Sequence, residues 1–264
     1  MYDFTYHKAT SLDDAVKTLG TDAEAKPLAG GMTFIPVLKQ RLAKPSKIID
    51  LAGLGLTGIS RNGDTLVIKA MTTHREVANS PEVAAAIPAL AHLAGMIGDR
   101  QVRYRGTIGG SLANNDPSAC YPAAALALGA TITTNKRSIE AKDYFQGMFA
   151  TALEPDELIT EVTFPIPQSA AYEKFPNPAS RYAMVGVFVA KTANGPRVAV
   201  TGAGNDGVFR HTAMEAALAK SFTADALKTV TTDESTMNAD IHASAAYRAH
   251  LVGVMARRAV AACA

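Results

Sequence analysis

Apolar positions fall along this chain in short blocks whose period switches repeatedly between that of a helix and that of a strand. Ser11 with Asp14 three residues on resembles a capping box with Asp in place of the usual Glu, and Gly20 supplies a stop, so a helix is expected between them. Lys26 to Ala29 is a short apolar approach into Gly30-Gly31. Thr33 to Leu42 then predicts a helix with Phe34, Val37, Leu38 and Leu42 on one face. Lys47 to Leu51 is a compact β-branched strand. Helix, strand, helix and strand in so short a span imply a small βαβ layer with a parallel sheet.

Farther on, Gly58 to Ser60 and Thr65 to Ala70 flank Asn62-Gly63, which predicts a hairpin. Thr73 to Gly98 has helical periodicity broken near Pro81 and Pro88. Gly98 to Asn115 is rich in Gly and Arg and is expected to be a loop, followed by a helix from Pro117 to Leu128 and strands at Ala130 to Thr134 and Leu158 to Phe164. Pro165, Pro167, Pro176 and Pro178 mark a linker. Beyond it, Tyr182 to Lys191 and Arg197 to Thr201 form a hairpin turned at Asn194-Gly195. The tail is helical over Thr212 to Lys220, Ala224 to Val230 and Ala243 to Ala262, the last with Tyr247, Leu251, Val254 and Met255 on one side and Arg248 elsewhere.

Composition narrows the function. With 264 residues the chain has room for more than one domain, and 48% hydrophobic residues exclude intrinsic disorder. Lysine and arginine number 26 against 24 acids, a net charge of +2, so no basic excess exists to drive nucleic-acid binding by counterion release. The two cysteines, Cys120 and Cys263, are too few for an iron–sulfur cluster or a structural zinc site, and the six histidines show no ligand spacing. A signal peptide and a membrane-spanning run are not expected either, which points to the cytoplasm. No nucleophile–base pair or paired carboxylates suggest themselves, so no catalytic residue and no metal ligand is assigned.

Candidate chemistry gathers in two loops. In Leu28-Ala29-Gly30-Gly31-Met32-Thr33 a strand runs through two glycines into a helix, where the backbone can approach a ligand and amides can meet an anion. Arg103-Tyr104-Arg105-Gly106-Thr107-Ile108-Gly109-Gly110-Ser111 repeats the glycine pair between hydroxyls, with Asn114, Asn115 and Asp116 just beyond. Either loop alone could be a plain turn; the two together suggest a diphosphate held between two lobes. The run Arg100, Arg103, Arg105 could grip phosphates or form a solvated face or subunit contact. Gly202-Ala203-Gly204-Asn205-Asp206-Gly207 also fits a dinucleotide fingerprint, but the short remainder of the chain is helical and lacks the strands such a fold needs, so a turn into the next helix explains it.

These motifs resemble those of the FAD-binding medium subunit of molybdenum hydroxylases, the aerobic carbon monoxide dehydrogenase and xanthine dehydrogenase family. The family's A-G-G-x-S stands here as Ala29-Gly30-Gly31-Met32-Thr33, and its T-I-G-G-[NS] as Thr107-Ile108-Gly109-Gly110-Ser111. Ala113 to Pro117 matches A-x-x-D-P, Pro45 to Leu51 matches a family strand, and the likeness extends through Ser180-Arg181-Tyr182 to Tyr247-Arg248. The resemblance implies an α+β fold: a two-lobed FAD-binding domain of the vanillyl-alcohol oxidase and p-cresol methylhydroxylase type, plus a C-terminal domain of antiparallel sheet and helices. Lobe one would be residues 1–53, lobe two 54–167 and the C-terminal domain 168–264. It implies that FAD contacts Leu28, Ala29, Gly30, Gly31, Met32, Thr33 and Phe34 in the first loop, and Thr107, Ile108, Gly109, Gly110, Ser111, Asn115 and Asp116 in the second. Cys120, Ile159, Lys174 and Tyr182 complete the set, with Lys174 beside the flavin and Tyr182 over the ring.

The residues by themselves leave Lys174 a solvated lysine, Tyr182 sheet core and Cys120 a small buried hydrophobe. Met32 and Ser111 depart from the family's usual residues, and Cys120 stands where many relatives carry an Asp. The resemblance further implies a division of labour. A large subunit carries molybdopterin and a small subunit carries two [2Fe–2S] clusters, in a dimer of heterotrimers. This chain's FAD would then pass electrons to a quinone, NAD or O2. A stand-alone FAD-dependent oxidoreductase of the same fold is the alternative, and an assembly subunit that has lost FAD a third reading.

Overall fold

A computed structural model of the protein describes residues 1–263. Its order begins β1 (Thr5–Lys8), α1 (Leu12–Thr21), β2 (Lys26–Leu28), α2 (Phe34–Lys39) and β3 (Lys47–Asp50). Both β1 and β2 pair with β3 in parallel, giving the expected parallel layer with one more strand than the sequence suggested, in the order β1-β3-β2. Ser11 caps α1 by accepting from the Asp14 amide, whose carboxylate is taken up instead by Thr10 and His7. Ala15, Leu19 and Ile49 fill the core of this layer, together with Leu158 from the neighbouring layer.

The hairpin β4 (Ile59–Asn62) and β5 (Thr65–Lys69) turns at Gly63, whose φ of +58° is one that glycine adopts freely. The helices α3 (His74–Asn79), α4 (Pro81–Ala86) and α5 (Pro88–Gly95) follow, each proline occupying the first turn, where its missing N–H costs nothing. Where a glycine- and arginine-rich loop was expected, there are two short helices, α6 (Arg100–Arg105) and α7 (Ile108–Asn114). Asp99 and Thr107 cap them through their side chains, the local signal that the loop reading passed over.

Helix α8 (Tyr121–Leu128) is buried on every side, as a helix apolar all round must be. It lies against a five-stranded antiparallel sheet on one side and the C-terminal sheet on the other, since its cluster includes Ile132, Val162, Phe188 and Ala199. After it come β6 (Thr131–Thr134), β7 (Ser138–Glu140), α9 (Ala141–Tyr144), β8 (Phe145–Gly147), β9 (Ala150–Thr151) and β10 (Ile159–Pro165). The large sheet runs β4-β5-β10-β6-β7, and β8 and β9 form a separate ribbon.

The proline-rich stretch is not an open linker. It contains β11 (Ser169–Pro176), which pairs along its length with β12 (Ala183–Thr192); β13 (Gly195–Thr201) and β14 (Phe209–Arg210) complete an antiparallel sheet. Its prolines lie at or beyond the strand ends, where no ladder N–H is needed. Helices α10 (Thr212–Lys220) and α11 (Ala245–Ala262) cover the sheet; Ala224 to Leu227 is a single 3-10 turn rather than the helix expected there. Arg248, expected away from the apolar side of α11, is buried. Its guanidinium donates to the carbonyls of Met184 and Gly202 at 2.7 and 2.9 Å and pairs with Asp240. The arrangement is the expected α+β class, and among the described residues no helix is long and apolar enough to cross a membrane.

Candidate functional site

A cleft of about 870 Å³ opens where the three sheets converge, lined by the loop after β2, by the β5–α3 turn, by α6 through Cys120, by Thr151 to Ile159, and by Lys174 and the 179–182 loop. Gly30 is among its lining residues. A Cβ there would fall within the van der Waals shell of the Arg105 carbonyl and against Gly106, so this glycine allows the two candidate loops to touch. Gly31 has φ +75° and turns the chain into α2.

The amides of Gly30, Gly31, Met32, Thr33 and Phe34 meet no acceptor among the described residues, and Thr33, which starts α2, makes no side-chain cap bond. Those N–H groups line the cleft and are available to an anion. The second loop behaves differently. Ile108 N–H donates to Thr72 O at 3.1 Å and Gly109 N–H to Ala70 O at 2.8 Å, while Gly110 and Ser111 N–H go to the side-chain and backbone oxygens of Thr107. The Ser111 hydroxyl and the Thr107 N–H are left without a partner there among the described residues, and both residues line the cleft.

Of the residues expected to hold the cofactor, Ala29 through Phe34, Thr107, Gly109 through Ser111, Asp116, Cys120, Ile159, Lys174 and Tyr182 all border the cleft. Leu28, Ile108 and Asn115 do not. Ile108 is in the core beneath the large sheet. Asn115 adopts a left-handed φ of +42° and is buried; its side-chain amide donates to Gly147 O and Ala150 O, both at 2.8 Å, and so anchors the β8–β9 ribbon. Asp116 does border the cleft, where burial raises its pKa against the opposing hydrogen bond from Ser118.

Two residues reverse what their types suggest without the resemblance. Lys174, on β11, is only 7% exposed, and its ammonium donates to Met96 O at 2.7 Å and lies 3.6 Å from the Cys120 sulfur. Among the described residues it joins no ion pair. Tyr182, expected as sheet core, is 51% exposed at the cleft rim, on a loop tied by Asn177 and strained at Arg181 (φ +62°).

Sequence reasoning passed over His74, which lies beneath the second loop. Its backbone N–H donates to Gly106 O, its Nδ1 has no hydrogen-bond partner, and burial, with help from Arg103, lowers its pKa to about 4. Glu157 at the cleft wall was also unforeseen. Burial alone pushes its pKa upward, but hydrogen bonds from Arg137, the Glu154 amide and Thr134 outweigh this and hold it at about 2. Neither position carries a spacing signal, because both act through contacts distant in sequence. The fingerprint at Gly202 to Gly207 lies outside the cleft: Gly202 N–H donates to Pro117 O, and a Cβ there would strike the Ala183 carbonyl.

Two lobes meeting over a run of free amides, with a third sheet bringing a buried cation to the same cleft, define a dinucleotide-binding chain. Residues 2–167 match the family model described as the FAD binding domain in molybdopterin dehydrogenase. The carbon monoxide dehydrogenase medium chain of Afipia carboxidovorans is 36% identical over 97% of this chain and 95% of that one. The nicotine 6-hydroxylase medium subunit of Paenarthrobacter nicotinovorans is likewise 36% identical, over 97% and 95%. A chain in the crystal structure of cyanide-inactivated Cu,Mo-CO dehydrogenase superposes with a TM-score of 0.91 at 34% identity, covering 100% of this chain and 98% of that one. This chain belongs to the family of FAD-binding medium subunits of molybdenum hydroxylases, and it is a flavoprotein oxidoreductase component.

Proposed function

We propose that this chain is the electron-transfer subunit of a molybdenum hydroxylase. It takes electrons from the [2Fe–2S] clusters of a small partner subunit and passes them to a quinone, NAD or O2. A large molybdopterin subunit completes the assembly, a dimer of heterotrimers working in the cytoplasm. The observation that carries this reading is that one cleft is lined both by Gly30 to Phe34, whose amides meet no acceptor among the described residues, and by a buried Lys174 that joins no ion pair among them. An anionic diphosphate suits the first and an electron-rich ring the second. The words medium chain and medium subunit in the relatives' names support companion chains, and the shortage of cysteine in this chain supports placing iron–sulfur clusters on them.

FAD supplies a ring that can gain and lose electrons one or two at a time. The protein's own groups then divide the work. The amides of Gly30 to Phe34, with the Thr33 and Ser111 hydroxyls, would bind the diphosphate. Lys174 would favour negative charge on the ring, and Ile97, Leu153 and Ile159 give the same cleft apolar lining. Tyr182 stands at the rim, where burial and then Asp116 and Cys120 raise its phenol pKa, so it stays neutral and can cover the ring without adding charge.

Expression with the neighbouring genes and purification through a tag on this chain tests the reading. The expected result is a complex with molybdopterin and iron–sulfur subunits and one flavin per copy of this chain. A purified chain without visible flavin absorbance after FAD reconstitution would refute it. Substrate turnover by the isolated chain would establish the stand-alone oxidoreductase instead.

A further inference from the structure

Cys120, Tyr172 and Lys174 form a buried group at the inner end of the cleft. β11 alternates its faces, so Tyr172 and Lys174 point to the same side, toward the start of α8 where Cys120 stands. The Lys174 ammonium has two neighbours it can donate to, the Met96 carbonyl near the end of α5 and the Cys120 sulfur. The Tyr172 hydroxyl is buried with no hydrogen-bond partner. A carbonyl and a thiol solvate an ammonium but bring no countercharge. A buried charge without one is costly, and the low local dielectric makes that charge felt across the cavity it faces.

We propose that Cys120 is a positioning residue for electron transfer: with a cysteine rather than a carboxylate beside Lys174, no acid pairs with the buried ammonium and its charge stays available to negative charge in the cleft. A carboxylate at position 120 would lie against the same ammonium, pair with it and spend its field locally. The identity of this one side chain therefore sets how strongly the site favours an electron-rich ligand. The inference rests on the FAD reading above.

The test is the midpoint potential of the bound flavin in the assembled complex, measured for wild type and for Cys120→Asp, Cys120→Asn, Lys174→Met and Cys120→Asp/Lys174→Met. Cys120→Asp is expected to lower the ratio of reduced to oxidised flavin at a fixed potential about tenfold, ~30 mV for a two-electron couple. Cys120→Asn, similar in size but neutral, leaves the potential at the wild-type value. Adding Cys120→Asp to Lys174→Met leaves the potential where Lys174→Met alone puts it, because a buried carboxyl with no ammonium beside it keeps its proton.

An equal shift from Cys120→Asp with and without Lys174, or a shift from Cys120→Asn, overturns the inference. If Cys120→Asp does not fold, the carboxylate is installed after folding, by treating the FAD-free protein with iodoacetate through the cleft that Cys120 borders and reloading FAD. Iodoacetamide is the neutral control; only the iodoacetate product should shift, and equal shifts from both reagents overturn the inference. Wild-type complex without flavin would sink the function proposed above. Flavin present with an unmoved potential in Cys120→Asp sinks this inference alone.

Discussion

The two glycine loops share a pattern, a Gly-Gly pair ahead of a hydroxyl at the entrance to a short helix, yet their backbones do different work. In the first, the residues from Gly30 to Phe34 line the cleft and their amides bond to nothing among the described residues. In the second, Ile108 and Gly109 spend their amides on the carbonyls of Thr72 and Ala70, and Thr107 takes up those of Gly110 and Ser111. The glycines differ in the same way. Gly109 is small because Ala70 lies directly beneath it, with the position of a Cβ only 2.7 Å from the Ala70 Cβ and oxygen; Gly31 is small because its φ is positive. One loop is left open for a ligand, and the other is fastened to the sheet so that it can brace the first.

The sharpest way to break that comparison is to add a methyl group to each. Gly109→Ala drives a Cβ into backbone that cannot yield, and overpacking of this kind is expected to cost about 3 kcal/mol. The Tm of the FAD-free chain should fall by roughly 6–12 °C. Gly31→Ala meets chiefly the movable Cδ1 tip of Ile35 and pays about 1–2 kcal/mol for its left-handed backbone. It should retain most of its stability while losing bound flavin. Calorimetry of both FAD-free variants, with flavin content after reconstitution, decides; a larger Tm loss for Gly31→Ala than for Gly109→Ala would reverse the roles assigned here.

The brace should also respond to acid where the open loop does not. His74 carries a folded pKa of about 4 against an ordinary value of 6.5, so the unfolded chain binds its proton first. Stability is then complete above pH 6.5 and drains away as pH falls toward 4, by about 2 kcal/mol at pH 5. Glu157, held at about 2, adds its own loss only below its ordinary 4.5. Urea titrations from pH 7 to 5 are expected to show this slope in wild type and a flatter one in His74→Gln. Equal slopes would mean that the imidazole is not held neutral beneath the loop.

How much of this was legible in the sequence follows from where each signal is stored. Local signals were readable: the Asn62-Gly63 and Asn194-Gly195 turns, the strand at Lys47, and both glycine pairs are set by their own neighbours. Signals that depend on distant partners were not. The prolines around 165–178 suggest a linker, but β12 supplies a full-length partner for the strand between them. Arg248 is polar by type and buried because two carbonyls and Asp240 wait for it. Asn115 adjoins an anion-binding pattern, and nothing in its neighbours tells that its side-chain amide ties down the β8–β9 ribbon. Without the family resemblance, Lys174 and Tyr182 would have been read the wrong way round, since one strand ends between them and the loop beyond it turns Tyr182 outward.

The finest distinction lies within the second loop itself. If most of its backbone is structural, what it offers a ligand directly is chiefly its side chains, and the Ser111 hydroxyl has no partner among the described residues. Ser111→Ala removes no bond on which the fold depends, so the Tm of the FAD-free chain should stay within about 1 °C of wild type. Loss of one hydrogen bond to a charged oxygen is worth about 1.4 kcal/mol, and the Kd for FAD should therefore rise about tenfold. Equilibrium dialysis of the FAD-free chain against FAD measures the second quantity and calorimetry the first. A Tm loss as large as that of Gly109→Ala would place Ser111 in the brace. An unchanged Kd would leave the second loop no direct hold on the ligand through Ser111, and the first loop would then carry the diphosphate largely through its free amides.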